Sequence, residues 1–316
     1  MGHHHRNLQQ QLTYAVRTNF NEHVNKHSLQ AQGIKDYAPK SYQTMRNTLG
    51  RAKQFARWCK TAHPEIRMAR DLREHHYQEW LQDRCRSGEI NTKTATTYQA
   101  QLRSVAECSN KAFNTELDPA KIQRCDVPPE MREKERCQVM NETDWARMRA
   151  TVKTDSTLAK AMDISHASGI RADEIARLKG SNLNFKGDRC TVTVEQGKNG
   201  RMTHVEVIDR KDIARLQEIK EKAGEGYIFP NGRGTHLKAD TLNKELRGAM
   251  KKTGLSEKYP KTSFHAERKA WAQRSYDTYR QEHTQAESKA WISQQLEHRD
   301  TRGEDSKLME AYVNAW

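Results

Sequence analysis

The sequence lacks any apolar run long enough to cross a membrane, and it lacks the charged start and apolar stretch of a secretory signal. It also lacks closely spaced cysteine pairs of the zinc-binding kind, and a chain of 316 residues does not need disulfides. The six cysteines are Cys59, Cys85, Cys108, Cys125, Cys137 and Cys190. We therefore expect a soluble cytoplasmic protein with reduced thiols, no metal site and no membrane partner.

Apolar residues are scarce, at 34% of the chain with 7% aromatics, and the mean hydropathy is −1.06. Such values lean toward disorder, but clear helical periodicities predict a folded chain with small cores and many solvated helix faces. The 55 basic residues outnumber 41 acidic ones, which gives a net charge of +14 and a pI near 9.5. This excess predicts a polyanionic partner such as nucleic acid, with binding that depends strongly on salt.

The length favours two domains, separated by a charged stretch that contains Pro128 and Pro129. His3 to His5 resemble an expression remnant. The predicted segments are 1–35 (this remnant and one leading helix), 36–121 (an all-helical domain), 122–139 (a linker) and 140–316 (a second domain with helices and a small sheet).

In the first domain we expect one helix to begin at Ser41, a second to be capped by Asp71 and ended by Gly88, and a third to begin near Thr92. Basic residues on the faces expected to be exposed could follow the phosphates of DNA, or could form an ordinary solvated surface. They are Lys40, Arg46, Arg51, Lys53, Arg57, Lys93 and Arg103.

In the second domain, Asn141 begins a helix and another spans about 158–168. Alternating residues at 189–194 and 203–207 predict a β-hairpin with Lys198 at its tip, and helices follow at about 213–223 and 240–252.

Ser168 to Leu178 is the most informative stretch. Ile170, Ile175 and Leu178 recur at helical spacing, so a helix begins here with Arg171 in its first turn. Free backbone N–H groups and the positive end of the helix dipole favour an anion at that position, above all a phosphate.

Further residues follow that suit the chemistry of a phosphodiester. His265 and Arg268 lie three residues apart, so both side chains share one helix face. Leu296-Glu297-His298 comes later, and Tyr312 stands four residues from the end of the sequence. In chain order the set is Arg171, Lys198, His265, Arg268, His298 and Tyr312.

With these residues in this order, the chain resembles the tyrosine recombinase family, also called phage-type integrases. The likeness runs from about residue 36 to the end and is most specific over residues 165–312. Ser168-Gly169-Ile170-Arg171, followed by Glu174, matches the first family motif, and His265 with Arg268 matches the second. The resemblance implies a mainly α fold with a small β-sheet, in which a helical core-binding domain and an α+β catalytic domain form a C-shaped clamp around DNA.

The resemblance also implies roles for the set. Arg171 and Arg268 would neutralise the phosphate, Tyr312 would attack it, and His265 would take the phenolic proton. Lys198 would protonate the departing oxygen, and His298 would hydrogen-bond the phosphate. We expect Glu174 to orient basic groups, and Lys269 to contact phosphate at most.

Alternatives remain for two of these roles. Tyr276 and Tyr279 compete with Tyr312 as nucleophile, and Lys211 and Lys222 compete with Lys198.

The function implied is site-specific recombination through a covalent 3′-phosphotyrosine and a Holliday junction, in integration or excision of a mobile element. The implied partners are double-stranded recombination sites, a homotetramer on two sites, and an accessory directionality factor. The protein would be bacterial or phage-encoded and would act in the cytoplasm in association with the nucleoid, and no cofactor is implied. The alternatives are type IB topoisomerase-like relaxation and a catalytically idle DNA-binding or architectural protein. A metal-dependent transposase is disfavoured, because we find no carboxylate cluster of suitable spacing.

Overall fold

The structure is a computed structural model of the 316-residue chain. It describes residues 7–22, 24, 26–131, 138–197, 202–260, 262–296 and 312–313. The chain forms two compact units, Met1–Lys134 and Glu135–Trp316, and each unit has its own hydrophobic core. Among the described residues, no helix is both long and apolar enough to span a bilayer.

The described part of the N-terminal unit is helical. Its helices are α1 (Leu8–Thr18), α2 (Lys26–Ala31), α3 (Tyr42–Ala62), α4 (Glu74–Arg86) and α5 (Thr92–Phe113), with 3₁₀ turns at Ala69–Asp71, Pro119–Lys121 and Pro129–Met131. Side-chain oxygens of Ser41 and Asn91 cap α3 and α5 by accepting the backbone N–H groups of Thr44 and Thr94. The helices predicted from Ser41 and from about Thr92 are confirmed.

Two details predicted for this unit are wrong. Residues 7–34 contain two helices rather than one, because the side chain and backbone N–H of Asn19 both donate to the Ala15 carbonyl and end α1. Asp71 does not cap the next helix. Its carboxylate accepts backbone N–H groups of the preceding turn, and Arg73 occupies the cap position of α4.

Aromatic rings fill the centre of the N-terminal core. Phe55 stacks on Tyr77 at 4.4 Å between ring centroids and meets the edge of Trp80 at 6.3 Å. Leu12 of α1 is fully buried in the same core, so the leading helix is an integral part of this unit. Ile122 is also buried there, which packs the beginning of the stretch expected as a linker onto the N-terminal unit.

The C-terminal unit is mainly helical, with a small sheet. Its elements are α6 (Glu142–Thr151), α7 (Thr157–Ser168), α8 (Ala172–Arg177), β1 (Leu183–Lys186), β2 (Arg189–Val194), β3 (Thr203–Val207), α9 (Arg210–Ala223), α10 (Ala239–Lys252), α11 (Leu255–Lys258), α12 (Phe264–Tyr279) and α13 (Gln285–Gln295), with a 3₁₀ turn at Gly180–Asn182. The predicted fold class, mainly α with a small sheet, is confirmed.

The sheet is antiparallel in the order β1-β2-β3. The predicted hairpin is confirmed, and Val192 of β2 pairs with Val205 of β3. Cys190, Val192 and Val194 face the core, while the residues between them are more exposed. Strand β1 is absent from the predicted elements, since four residues are too few to show an alternating pattern.

Candidate active site

Arg171 lies at the junction between α7 and α8. Gly169 ends α7 with φ +59°, in the left-handed region that favours glycine, and turns the chain so that Arg171 begins α8. Glu174, only 5% exposed, accepts hydrogen bonds from the Arg171 backbone N–H and from Nη1, both at 2.7 Å. The carboxylate therefore holds the partly exposed guanidinium in one orientation, as expected for Glu174.

Arg268 is buried, with 2% of its surface exposed. Its Nη1 donates to the Gly169 carbonyl at 2.7 Å and its Nη2 to the Leu296 carbonyl at 2.8 Å, so the guanidinium joins the α7–α8 turn to the end of α13. Burial lowers the pKa of Arg268, the positive charge of Arg171 lowers it further, and Tyr312 opposes this by favouring the charged form. Arg268 and Arg171 are thus close enough for each to sense the other's charge.

Tyr312 lies beside His265 and Arg268. The rings of His265 and Tyr312 meet edge to face, with centroids 6.1 Å apart and planes at 81°. Tyr312 also forms a side-chain hydrogen bond that raises the pKa of Arg268. The next residue, Val313, is 1% exposed and packs in the core of the C-terminal unit, which anchors the tyrosine at this position.

The His265 side chain is exposed, yet the charges around it disfavour the charged imidazolium. Desolvation by the surrounding protein lowers the pKa of His265, and the positive charges of Arg268, Lys269 and Arg171 lower it further. A neutral imidazole is the form that can accept a proton. The structure therefore brings together four of the six residues in the predicted set: Arg171, His265, Arg268 and Tyr312.

Lys198 and His298 lie outside the described residues. Of the alternatives to Lys198, Lys222 forms an ion pair with Asp155 at 2.5 Å, while Lys211 lies in the first turn of α9. Of the alternatives to Tyr312, Tyr276 is buried in the core, and the Tyr279 ring stacks between His283 and Trp291. Both alternative tyrosines thus have surroundings that account for them structurally.

Residues 131–279 match the phage integrase family. Nearly half of the chain thus matches this family. The resemblance inferred from the sequence motifs is confirmed. No curated protein matches the chain in sequence.

Solved structures of three recombinases share the fold. XerH site-specific recombinase bound to a palindromic difH substrate has a TM-score of 0.65 and 14% identity, covering 97% of this chain and 90% of that one. A lambda integrase tetramer bound to a Holliday junction has a TM-score of 0.60 and 17% identity, covering 92% and 77%. The Tn1549 transposon integrase in complex with a circular intermediate DNA has a TM-score of 0.60 and 11% identity, covering 98% and 96%.

In the C-terminal unit, three side chains of α12 donate hydrogen bonds to backbone carbonyls at the end of α7. The bonds are Arg268 Nη1 to Gly169 O at 2.7 Å, Trp271 Nε1 to Ala167 O at 3.1 Å, and Arg274 Nη2 to His166 O at 3.2 Å. We call these three contacts the α7–α12 clamp. Because α7 leads directly into the turn that carries Arg171, the clamp links that turn to the helix that carries Arg268. Trp271 and Arg274 are absent from the predicted site, since neither belongs to a recognisable motif.

The candidate DNA contacts of the N-terminal unit fall into two groups. Arg46, Lys53 and Lys93 are exposed, as is Arg57. Lys40 pairs with Asp36 at 2.5 Å. Arg103 donates to the carbonyls of Ile122 and Ala120 at 2.9 and 3.3 Å, so two of its N–H donors already form hydrogen bonds within the protein.

The prediction that Arg51 lies on an exposed face is wrong. It is 9% exposed, its guanidinium lies 3.2 Å from the centroid of the Tyr98 ring, and its Nε donates to Gln101 at 3.0 Å. A cation held on an aromatic face with a hydrogen-bond partner is a structural feature of the core. In the C-terminal unit, Lys269 is partly buried, and its positive charge lowers the pKa of His265.

Within the described ranges, no group of three or more His, Cys, Asp or Glu side chains is placed to hold a metal ion. The five cysteines described by the structure are free and buried. Desolvation raises the pKa of four of their thiols, those of Cys59, Cys85, Cys108 and Cys190, to values between about 11 and about 12. These thiols are therefore protonated core groups rather than nucleophiles.

Proposed function

We propose that this protein is a site-specific DNA recombinase that cleaves one strand at a time through a covalent bond between Tyr312 and the 3′-phosphate. The observation that supports this most is the grouping of a tyrosine with two arginines and a histidine. These residues come from three separate segments of the chain.

Each of the four has a role that suits its chemistry. The scissile phosphate carries a negative charge that grows on its nonbridging oxygens during attack, and Arg171 and Arg268 neutralise that charge. The ordinary pKa of a phenol is about 10, so Tyr312 needs a base to become a nucleophile near neutral pH. His265 is that base, because its depressed pKa keeps the imidazole neutral and able to accept the proton.

In this reaction each bond that is broken is replaced by a bond of the same kind, so strand cleavage needs no separate energy source. The Tyr312 oxygen attacks phosphorus and loses its proton to His265, the new phosphotyrosine ester forms, and the bond from phosphorus to the 5′-oxygen breaks. The departing 5′-oxygen takes up a proton, for which we propose Lys198 as the donor, and His298 is proposed to hydrogen-bond the phosphate. Because one phosphate ester replaces another, a 5′-hydroxyl from a second duplex can reverse the reaction and complete strand exchange.

We propose duplex DNA and further copies of this chain as partners. Among the proteins that share the fold, lambda integrase forms a tetramer on a Holliday junction and the Tn1549 integrase binds a circular intermediate of its transposon. A tetramer on two sites, acting for a mobile element with an accessory directionality factor, is the corresponding arrangement here. The helical N-terminal unit would contribute phosphate contacts through Arg46, Lys53 and Lys93.

A nicked suicide duplex tests the proposal. The sequence of the duplex is taken from the DNA that flanks the gene for this chain. Because of the nick, the short fragment that carries the new 5′-hydroxyl is lost after cleavage, and this traps the covalent intermediate. Wild-type protein should give an adduct that resists detergent, and peptide mapping should locate it at Tyr312. Tyr312→Phe should abolish the adduct, whereas Tyr279→Phe, a matched loss of one phenol oxygen, should keep it.

Three other results would redirect the assignment. An adduct that survives Tyr312→Phe would mean that another residue is the nucleophile. Relaxation of supercoiled plasmids that contain no recombination site would favour topoisomerase-like activity. Tight DNA binding without cleavage of any flanking sequence would instead favour a DNA-binding protein with an idle site.

A further inference from the structure

Arg274 contacts three elements of the C-terminal unit at once. From α12, its Nη2 donates to Glu267 Oε1 on its own helix at 2.8 Å and to the His166 carbonyl at the end of α7 at 3.2 Å. Its Nη1 donates to Glu142 Oε2 in the first turn of α6 at 3.2 Å. A guanidinium is suited to such a position because its planar fork presents several fixed donors.

Glu267 explains why a cation is needed here. It stands between the two site residues of α12, His265 and Arg268, and is 2% exposed. Burial raises the pKa of Glu267, and its Oε2 finds no hydrogen-bond partner in the described part of the chain. A buried carboxylate without a compensating charge is strongly unfavourable, so the pairing with Arg274 stabilises this helix turn.

The opposite side of Arg274 leads to a second group of charges. Glu142 also bonds His166 Nε2 at 3.0 Å, and His166 Nδ1 meets Asp212 of α9 at 3.2 Å. Burial alone would lower the pKa of His166, but hydrogen bonds to Asp212 and Glu142 raise it to about 9. Near neutral pH the His166 imidazolium and Arg274 are therefore both cationic. Glu142 bonds both cations and Asp212 bonds His166, so these contacts connect α6, α7, α9 and α12.

We propose that Arg274 is a positioning residue for strand cleavage: it holds the end of α7 against α12, and so sets Arg171 at the correct distance from Arg268. This inference rests on the proposed function, because the distance matters only if both guanidiniums face one phosphate. Arg274 acts through the α7–α12 clamp. A displacement of about 1 Å in a reacting group can slow a reaction about a hundredfold.

A simpler role for Arg274 would be to neutralise Glu267 and nothing more. The two roles differ in what happens when both residues are replaced. In Arg274→Met the carboxylate of Glu267 is left unpaired, so both stability and cleavage should fall. In the double variant Glu267→Gln with Arg274→Met that charge is gone and stability should recover in part, but the bonds to Glu142 and to the His166 carbonyl are still missing.

The experiment compares these two variants with wild type and with Arg280→Met. Arg280 is an exposed arginine at the end of the same helix, and its Nη1 donates to the His283 carbonyl, away from the clamp. The measurements are the single-turnover rate of adduct formation at saturating protein, the affinity for DNA in a Tyr312→Phe background, and urea unfolding. Amide hydrogen exchange of residues 167–171 is followed in the free proteins.

The positioning role predicts a double variant that is more stable than Arg274→Met, binds DNA within about twofold of wild type, and still forms adduct about tenfold more slowly than wild type or worse. Its residues 167–171 should exchange faster than in wild type, and Arg280→Met should match wild type throughout. Full recovery of the cleavage rate in the double variant, or unchanged exchange at 167–171, would overturn the positioning role. Absence of any adduct from wild-type protein would count against the proposed function instead, and the exchange result would still decide whether Arg274 holds the turn.

Discussion

Replacement of Gly169 by alanine should destabilise the C-terminal unit and impair the candidate active site. Two effects contribute, the left-handed backbone conformation and the close approach of Trp271, and a control variant can separate them. Gly169 has φ +59°, and a Cβ at this position would lie 2.5 Å from Cδ2 and Cε3 of Trp271. The Trp271 ring is 4% exposed, and its Nε1 is bonded to the Ala167 carbonyl, so it cannot move aside freely. The Gly169 carbonyl is in turn an acceptor for Arg268.

The expected magnitude combines two contributions. The left-handed conformation costs an alanine about 1–2 kcal/mol. Overpacking of a well-filled core costs about 1–3 kcal/mol more. Gly169→Ala should therefore lower the free energy of unfolding by about 2–5 kcal/mol, and it should slow adduct formation because the backbone that holds Arg268 must shift.

Gly187 provides a matched control in the turn between β1 and β2. Its φ is +60°, and a Cβ there would meet nothing within 4 Å. Gly187→Ala should lose only the conformational part, about 1–2 kcal/mol, and should leave cleavage unchanged. Urea unfolding followed by tryptophan fluorescence gives both values. Equal losses for the two variants would show that the close approach of Trp271 contributes nothing, and would refute the reasoning.

Three further predictions follow from the structure. Protonated His166, with a pKa of about 9 against an ordinary value of about 6.5, should contribute stability that is complete below pH 6.5 and lost as pH rises through 9. The loss should be on the order of 3 kcal/mol, seen by urea unfolding near pH 6 and pH 10, and His166→Gln should remove this difference. Arg51→Met should destabilise the N-terminal unit by about 1–3 kcal/mol without changing the salt dependence of DNA binding, whereas Arg46→Met should keep stability and reduce the log–log salt slope by about 1. Glu174→Gln should slow adduct formation about tenfold or more with little loss of DNA affinity, because the guanidinium of Arg171 loses its charged partner; an unchanged rate would remove Glu174 from the site.

Local signals in the sequence were sufficient for most of the elements. The caps at Ser41 and Asn141 use side chains that bond backbone groups three residues away, so the helix starts can be read from a short window. Helix α13 is absent from the predicted elements because its apolar residues do not gather on one face. Its start nevertheless carries a readable signal, since Thr284 and Glu287 form a reciprocal cap.

The fate of Arg51 shows where such signals fail. Its position on α3 allows either an exposed or a buried side chain, and the outcome depends on Tyr98 and Gln101 of a helix that begins much later in the chain. A charge count cannot distinguish an arginine that covers an aromatic ring from one that faces water.

The sequence by itself determined which chemical groups this protein carries and in what order: two arginines, a histidine and a late tyrosine with the types and spacing of a family motif. Only the tertiary structure decided that they meet, because Arg268 is held by the carbonyls of Gly169 and Leu296, 99 and 28 residues away. The same holds for Glu267. From the sequence, a glutamate inside a motif is expected to face solvent, whereas the packed structure buries it and pairs it with Arg274. Hydrogen bonds within one helical turn are encoded locally, whereas the burial of a charge depends on every element packed around it.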